Sequence, residues 1–275
     1  LFYNHEISQT VRTRQELFTD LRNAVDLREF ALHFQPQVDL RSGSTVGAEA
    51  LLRWHHGRRG LVGPDSFVQA AEENGLMVPI GEWVLQEALL QWRSLLEQNP
   101  QMHLAINVSA RQFGDPGFFE RLRQAVQSTN VQPHRLVIEI TETVAMADPG
   151  ATRTLLLRCK DLGLMVALDD FGTLYSSLAY LKTLPIDIIK IDKSFVDGLP
   201  HDRFDAAIIH AVISLARALN CSIVAEGVER EEQAQWLAQA GCQSAQGFLY
   251  AKGLPYDQFV SWLDSPRGAA KLSKV

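Results

Sequence analysis

The stretch FALHFQPQVDLRSGSTVGAEALLRW, residues 30–54, sets two apolar, β-favouring runs, Phe30–Leu40 and Val46–Trp54, on either side of Arg41-Ser42-Gly43-Ser44. Parallel neighbours need a crossover of about a dozen residues or more, usually a helix, and this connection cannot hold one. The two runs must therefore form an antiparallel hairpin. Downstream the pattern changes. Short apolar runs rich in β-branched and aromatic residues, His103–Ser109, Leu136–Thr141, Met165–Phe171, Ile186–Lys193, Ser222–Glu229 and Ser244–Ala251, alternate with longer amphipathic segments. Counted with the hairpin they make eight strands, the number a (β/α)8 barrel needs in roughly 250 residues. The hairpin excludes an all-parallel barrel. The expected fold is thus α/β, a modified (β/α)8 TIM-like barrel with one antiparallel strand, and an open doubly wound sheet is its competitor.

The helices between the runs have legible ends. Asp115-Pro116 and Asp148-Pro149 each set a capping acid before a proline, while Gly75, Gly163 and Gly241 follow the last apolar residues as left-handed stops. Asp205–Leu219 carries an apolar stripe at helical spacing, and the stripe Trp83, Val84, Leu85, Ala88, Leu89, Trp92 reads as helix core. Residues 1–25 read as an N-terminal helix or linker from an upstream domain, and residues 26–275 as the barrel.

Composition narrows the partners. A net charge of -6 gives no broad basic surface for long nucleic acid. No apolar run is long enough to span a bilayer, so no direct membrane insertion is expected. The three cysteines, Cys159, Cys221 and Cys242, lie far apart without metal-type spacing and read as buried thiols of a reducing compartment. A cytoplasmic location follows, including the cytoplasmic part of a larger membrane-tethered protein.

After the first, each run carries a residue that packing alone would not choose. These are Glu49, Asn107, Glu139 with Glu142, Asp169 with Asp170, Lys190, Glu226 with Glu229, and Gln246. In a barrel the strand ends share one rim, where such folds carry their chemistry. Two carboxylates about 4 Å apart repel by about 4 kcal/mol at an effective dielectric of 20, and this rim gathers several against one lysine. A cation is needed. Carboxylates with one amide oxygen make a hard, all-oxygen ligand set suited to Mg2+ or Mn2+ rather than zinc, and Asp169-Asp170 could bridge two ions. Two such ions are the usual machinery for attack on a phosphate ester. His55 and His56, followed by Arg58 and Arg59, read as a solvated turn, and His33, His103, His134, His201 and His210 as structural.

Taken together, Glu49-Ala50-Leu51-Leu52-Arg53-Trp54, Asn107-Val108-Ser109, Glu139-Ile140-Thr141-Glu142, Asp169-Asp170-Phe171-Gly172-Thr173, Ile189-Lys190-Ile191-Asp192, Glu226-Gly227-Val228-Glu229 and Gln246-Gly247-Phe248 resemble the ordered motif series of the EAL family. The resemblance runs from about Phe30 to Leu263. It implies a barrel with one strand reversed and metal-dependent hydrolysis of cyclic di-GMP to linear pGpG. It further implies that Glu49, Asn107, Glu139 and Asp169 hold a first metal and Asp169 with Asp170 a second. Lys190 and Glu226 would orient and deprotonate the attacking water, Glu226 as general base, while Gln35, Arg53 and Gln246 match substrate-holding positions. Glu142 and Glu229 look like the acids that fix the loop after the fifth strand. A homodimer and an upstream sensory or GGDEF-type domain are implied as partners. Leu174 departs from the pattern, since members commonly read Asp-Phe-Gly-Thr-Gly-Tyr-Ser and the leucine replaces the second glycine. The rival expectation is a catalytically impaired receptor that binds cyclic di-GMP and signals to upstream domains.

Overall fold

The computed structural model describes residues 17–25, 27–99, 101–173 and 178–265. β1 (Phe30–Asp39) and β2 (Thr45–His56) pair antiparallel from Phe30 opposite Trp54 to Val38 opposite Thr45. Further strands follow: β3 (Gly60–Val62), β4 (His103–Asn107), β5 (Leu136–Thr141), β6 (Met165–Phe171), β7 (Ile188–Ile191), β8 (Ser222–Ala225), β9 (Ser244–Ala245) and β10 (Leu254–Pro255). From β2 the sheet runs in parallel through β4, β5, β6, β7, β8 and β9, and β1 closes it antiparallel to both β9 and β2. The eight expected strands thus form a closed barrel with β1 reversed, which removes the open-sheet alternative. β3 and β10 are short antiparallel additions beside β2 and β1.

The last three barrel strands are shorter than the apolar runs that announce them. Glu226-Gly227 and Gln246-Gly247 leave the ladder because Gly227 and Gly247 take φ of 65° and 156°. A Cβ at Gly247 would lie 2.1 Å from the Val228 carbonyl oxygen, so only glycine lets these two segments pass so closely.

Helix ends follow the expected signals with two exceptions. Asp148 accepts from the Ala151 N–H at 3.0 Å and caps Pro149–Asp161. Gly75, Gly163 and Gly241 have φ of 71°, 93° and 101°. Asp115-Pro116 does not open its helix, which spans Phe118–Thr129. Asp115 is instead occupied by a turn, its carbonyl accepting from Phe118 N–H and its carboxylate pairing with Arg121. The helix expected from Asp205 begins at Arg203, because Asp202 caps it by accepting from the N–H groups of Phe204 and Asp205.

Two apolar clusters hold the fold. The larger lies between barrel and helices and includes Val84, Leu85, Ala88, Leu89 and Trp92 of the helix Met77–Gln98. The smaller fills the barrel with Ala105, Val137, Ala167, Ile188 and Val224. Strand side chains alternate faces, so two residues further on the same inward face is reached again. Those positions are Asn107, Glu139, Asp169, Lys190 and Glu226. The apolar floor and the polar rim above it are one period-two pattern.

The helical segment 17–25 buries Leu21 and Ala24 completely. Its Asp20 takes His56 at 3.2 Å and Arg58 at 2.8 Å, and His56 stacks on Trp54 with ring centroids 4.6 Å apart. His56 is therefore a buried docking residue rather than part of a solvated turn. Among the described residues no helix is long and apolar enough to cross a membrane.

Candidate active site

The ammonium of Lys190, 1% exposed, sits among four carboxylates. It lies 2.8 Å from Glu139 Oε2, 2.8 Å from Glu226 Oε1, 2.9 Å from Asp169 Oδ2 and 3.3 Å from Glu49 Oε2. Gln246 Nε2 donates to Glu49 Oε2 at 2.6 Å and to Glu226 Oε1 at 2.8 Å. Asn107 Nδ2 donates to Glu49 Oε1 at 2.5 Å, which leaves its Oδ1 as the atom available to a cation.

Asp169 and Asp170 are consecutive in a strand, so regular alternation would aim them at opposite faces. The backbone breaks that alternation. Asp170 has φ of 53°, and the register between β6 and β7 shifts between Leu168 and Phe171. Aspartate is among the few residues that tolerate this left-handed conformation. As a result Asp169, Asp170 and Glu226 each bring an oxygen within 4.8 Å of the others, a set that could hold a metal ion.

Charge balance sets the titration of the cluster. Burial would lower Lys190, but Asp169, Glu139, Glu226 and Glu49 together hold it well above the usual lysine range. Burial pushes Glu139 up, with Glu49 and Asp169 adding to the shift against Lys190. Burial likewise lifts Glu226 to about 8, with Asp169 and Glu49 adding. Glu49 moves down despite its burial, because Lys190, Gln246 and Asn107 all stabilise its charge. Asp170 is raised by burial, then by Asp169 and Asp192. Five carboxylates share one ammonium, and the excess shows as retained protons.

That excess makes folding stability depend on pH. Glu139 and Glu226 keep protons in the folded chain at pH values where the unfolded chain has lost them, so stability falls as pH rises from the ordinary carboxylate range to about 8. The lowered Glu49 acts in the opposite sense below that window, and the buried His103, lowered to about 4, does so up to the ordinary histidine value of about 6.5. In chelator, the thermal midpoint is therefore expected to fall between about pH 7 and about pH 8, and divalent cations are expected to flatten the fall. A midpoint that rises with pH across that range in chelator would contradict this charge balance.

The remaining expected residues stand around this centre. Gln35 lies opposite Glu49 in the hairpin register and donates to the Ala251 carbonyl at 3.2 Å. Arg53 is half-buried and donates to its neighbour's carbonyl, Leu52 O, at 2.8 Å. Glu142, buried at the start of the helix Glu142–Ala147, accepts from Gly172 N–H at 3.1 Å just beyond the aspartate pair. Glu229 is more exposed and pairs with Lys193 at 2.7 Å. Leu174 lies outside the described residues.

Three residues that sequence reasoning did not place in the site also belong to its surroundings. Gln37 Nε2 donates to Gln246 Oε1 at 2.9 Å, and His103 Nε2 lies 2.7 Å from Gln37 Oε1. Phe248 is 57% exposed beside Gln246, with the ammonium groups of Lys252 and Lys193 4.9 and 5.9 Å from its ring centre. Its place after Gln246-Gly247 was the available signal for Phe248; Gln37 had only its spacing from Gln35.

A family model described as EAL domain matches residues 19–253. The bifunctional diguanylate cyclase/cyclic di-GMP phosphodiesterase MucR of Pseudomonas aeruginosa is 42% identical over 261 residues, covering 94% of this chain and 38% of that protein. The cyclic di-GMP phosphodiesterase PdeR of Escherichia coli is 35% identical, covering 94% of this chain and 39% of that protein. This chain thus spans about two-fifths of the length of those relatives. Among solved structures, the PaMucR phosphodiesterase in complex with c-di-GMP superposes with a TM-score of 0.86 at 44% identity, covering 89% of this chain and 99% of that one. The FimX EAL domain of Pseudomonas aeruginosa bound to c-di-GMP gives 0.78 at 28%, covering 86% of this chain and 95% of that one.

Proposed function

Because this chain belongs to the EAL domain family, we propose that it hydrolyses cyclic di-GMP to linear pGpG with two divalent cations, Mg2+ or Mn2+. The observation that carries this reading is the ring of Glu49, Glu139, Asp169 and Glu226 around Lys190, with Asp170 turned in beside it. The residues fit such ions. The donor set is all oxygen, and five carboxylates against one ammonium leave negative charge that water-excluded surroundings do not favour. Glu49, Asn107, Glu139 and Asp169 would hold one ion, and Asp169 with Asp170 the other. Bound there, the cations would supply stabilisation of charge developing on phosphorus and a lower pKa for the attacking water.

The chain's own groups do the rest. Glu226 is assigned the water proton, the proton it retains without metal leaving as cations bind, and Lys190 and Gln246 on its Oε1 fix the carboxylate's orientation. Lys190 spends its N–H groups holding the carboxylates, Glu226 and Asp169 among them, in register, and its fixed positive charge would offset negative charge as it develops. The water oxygen bonds to phosphorus, the bond from phosphorus to the ribose 3′ oxygen breaks, and that oxygen takes up a proton. Gln35, Arg53 and Gln246 are assigned to hold the substrate, with Arg53 facing phosphate as a charge-assisted donor. Phe248 offers a flat apolar face, flanked by two ammonium groups, suited to a purine base. Glu142 and Glu229 are assigned to the loop after β6. The reading extends to a homodimer and to a diguanylate cyclase-type or sensory domain elsewhere in the whole protein.

Incubating the protein with cyclic di-GMP and Mg2+ or Mn2+, with a chelated control, tests the reading by chromatography of the products. Metal-dependent pGpG is the expected result. Intact substrate that nevertheless binds would make the domain a receptor.

A further inference from the structure

Beneath the carboxylate ring, three strands line up three residues at one level. Gln37 of β1 stands opposite Gly47 of β2, and Gly47 stands opposite His103 of β4. The glycine has a steric reason, because a Cβ there would lie 2.6 Å from the His103 carbonyl oxygen and 2.7 Å from its ring. Its absence lets the imidazole lie across β2 and reach Gln37 on the far side.

The hydrogen bonds along this level have one permitted direction. Glu49 Oε2 and Glu226 Oε1 both face the Lys190 ammonium, which only donates, so each of these oxygens is an acceptor and Gln246 must turn its NH2 toward them. Its Oε1 then faces Gln37, which must donate through Nε2. Gln37 Oε1 in turn faces His103, which must donate through Nε2–H. Burial lowers His103 to about 4, so the ring is neutral and carries a single N–H, spent on Gln37.

We propose that Gln37 and His103 are positioning residues, which through this one-way relay hold the Gln246 amide in the orientation that donates to Glu49 and Glu226. The inference rests on the phosphodiesterase reading for its kinetic consequence, not for its geometry. Without Gln37, the buried Oε1 of Gln246 loses its donor and the amide is free to turn its oxygen toward the carboxylates, which repels them. Glu49 and Glu226 then drift from their places.

The variants Gln37→Met, His103→Leu and His103→Gln test the relay in the intact protein. The glutamine at 103 keeps an N–H close to the position of Nε2, while leucine does not. Two readouts are needed: turnover of cyclic di-GMP, and Mn2+ binding followed by electron paramagnetic resonance without substrate. Gln37→Met and His103→Leu are expected to lower kcat and to weaken Mn2+ binding by about ten- to hundredfold, as loss of outer partners does at metal sites. His103→Gln is expected to recover most of both. Wild-type kcat and Mn2+ affinity in Gln37→Met, or His103→Gln as impaired as His103→Leu, would overturn the relay. If Gln37→Met fails to fold, the two substitutions at 103 still decide. Absence of turnover in the wild type would sink the functional reading alone, since Mn2+ binding reports on the relay without it.

Discussion

Glu226→Gln is expected to slow hydrolysis of cyclic di-GMP by about a hundredfold or more, the usual cost of losing a general base, while leaving substrate binding near the wild-type level. The contacts explain why the substitution is clean. Both fixed neighbours of Glu226, Lys190 and Gln246, lie 2.8 Å from the same oxygen, Oε1. A glutamine of the same shape can present its carbonyl oxygen there and keep both hydrogen bonds. Its amide nitrogen then stands where the second carboxylate oxygen stood, and it cannot take a proton from water. Turnover by chromatography and binding by calorimetry separate the possibilities. Comparable turnover would remove Glu226 from the role of base, and lost binding would make it a substrate contact instead.

Lys190→Met should have its largest effect on the protein without metal. The substitution keeps the apolar stem and deletes the ammonium that Glu49, Glu139, Asp169 and Glu226 share. Removing one partner from a buried ion network costs about 3–5 kcal/mol, because the remaining charges stay buried without compensation. In chelator the variant is therefore expected to melt well below the wild type. Lowering the pH should recover part of that loss, since the carboxylates can take protons. Mg2+ or Mn2+ should recover more, and should raise the variant's midpoint further than the wild type's, because the ions replace the missing charge and bind only the folded site. A midpoint in chelator equal to the wild type's would mean that Lys190 does not balance the cluster.

Much of the site could be read in the sequence because its placement obeys one rule. Each of Asn107, Glu139, Asp169, Lys190 and Glu226 stands two residues after an inward apolar residue, so a polar side chain breaking an apolar run marks the rim. The reversed β1 was legible for an equally local reason, the brevity of Arg41–Ser44. What local pattern could not give was closure. Gln37 is two residues from Gln35, and nothing nearby tells which of them meets Gln246 until β1 is paired with β9 as well as β2. His103 reads locally as structural because its partner is 66 residues away in sequence. Strand lengths failed at Glu226 and Gln246 because glycines drew the chain out of the ladder while the apolar pattern continued. His56 reads locally as part of a solvated turn because Asp20, which binds it, lies 36 residues away.

The reversal of β1 also decides at which face the described chain enters the barrel. In an all-parallel barrel the first strand begins at the face away from the reacting groups. Here Phe30 lies beside Trp54, so the first strand begins at the rim that carries Glu49 and Asn107. The helix 17–25 is pinned there by Asp20 and by the Glu29 carboxylate on Trp54 Nε1 at 2.9 Å. The described chain thus enters the fold at the mouth, where Asp20 and Glu29 bind the end of the strand that also holds Glu49 and Arg53.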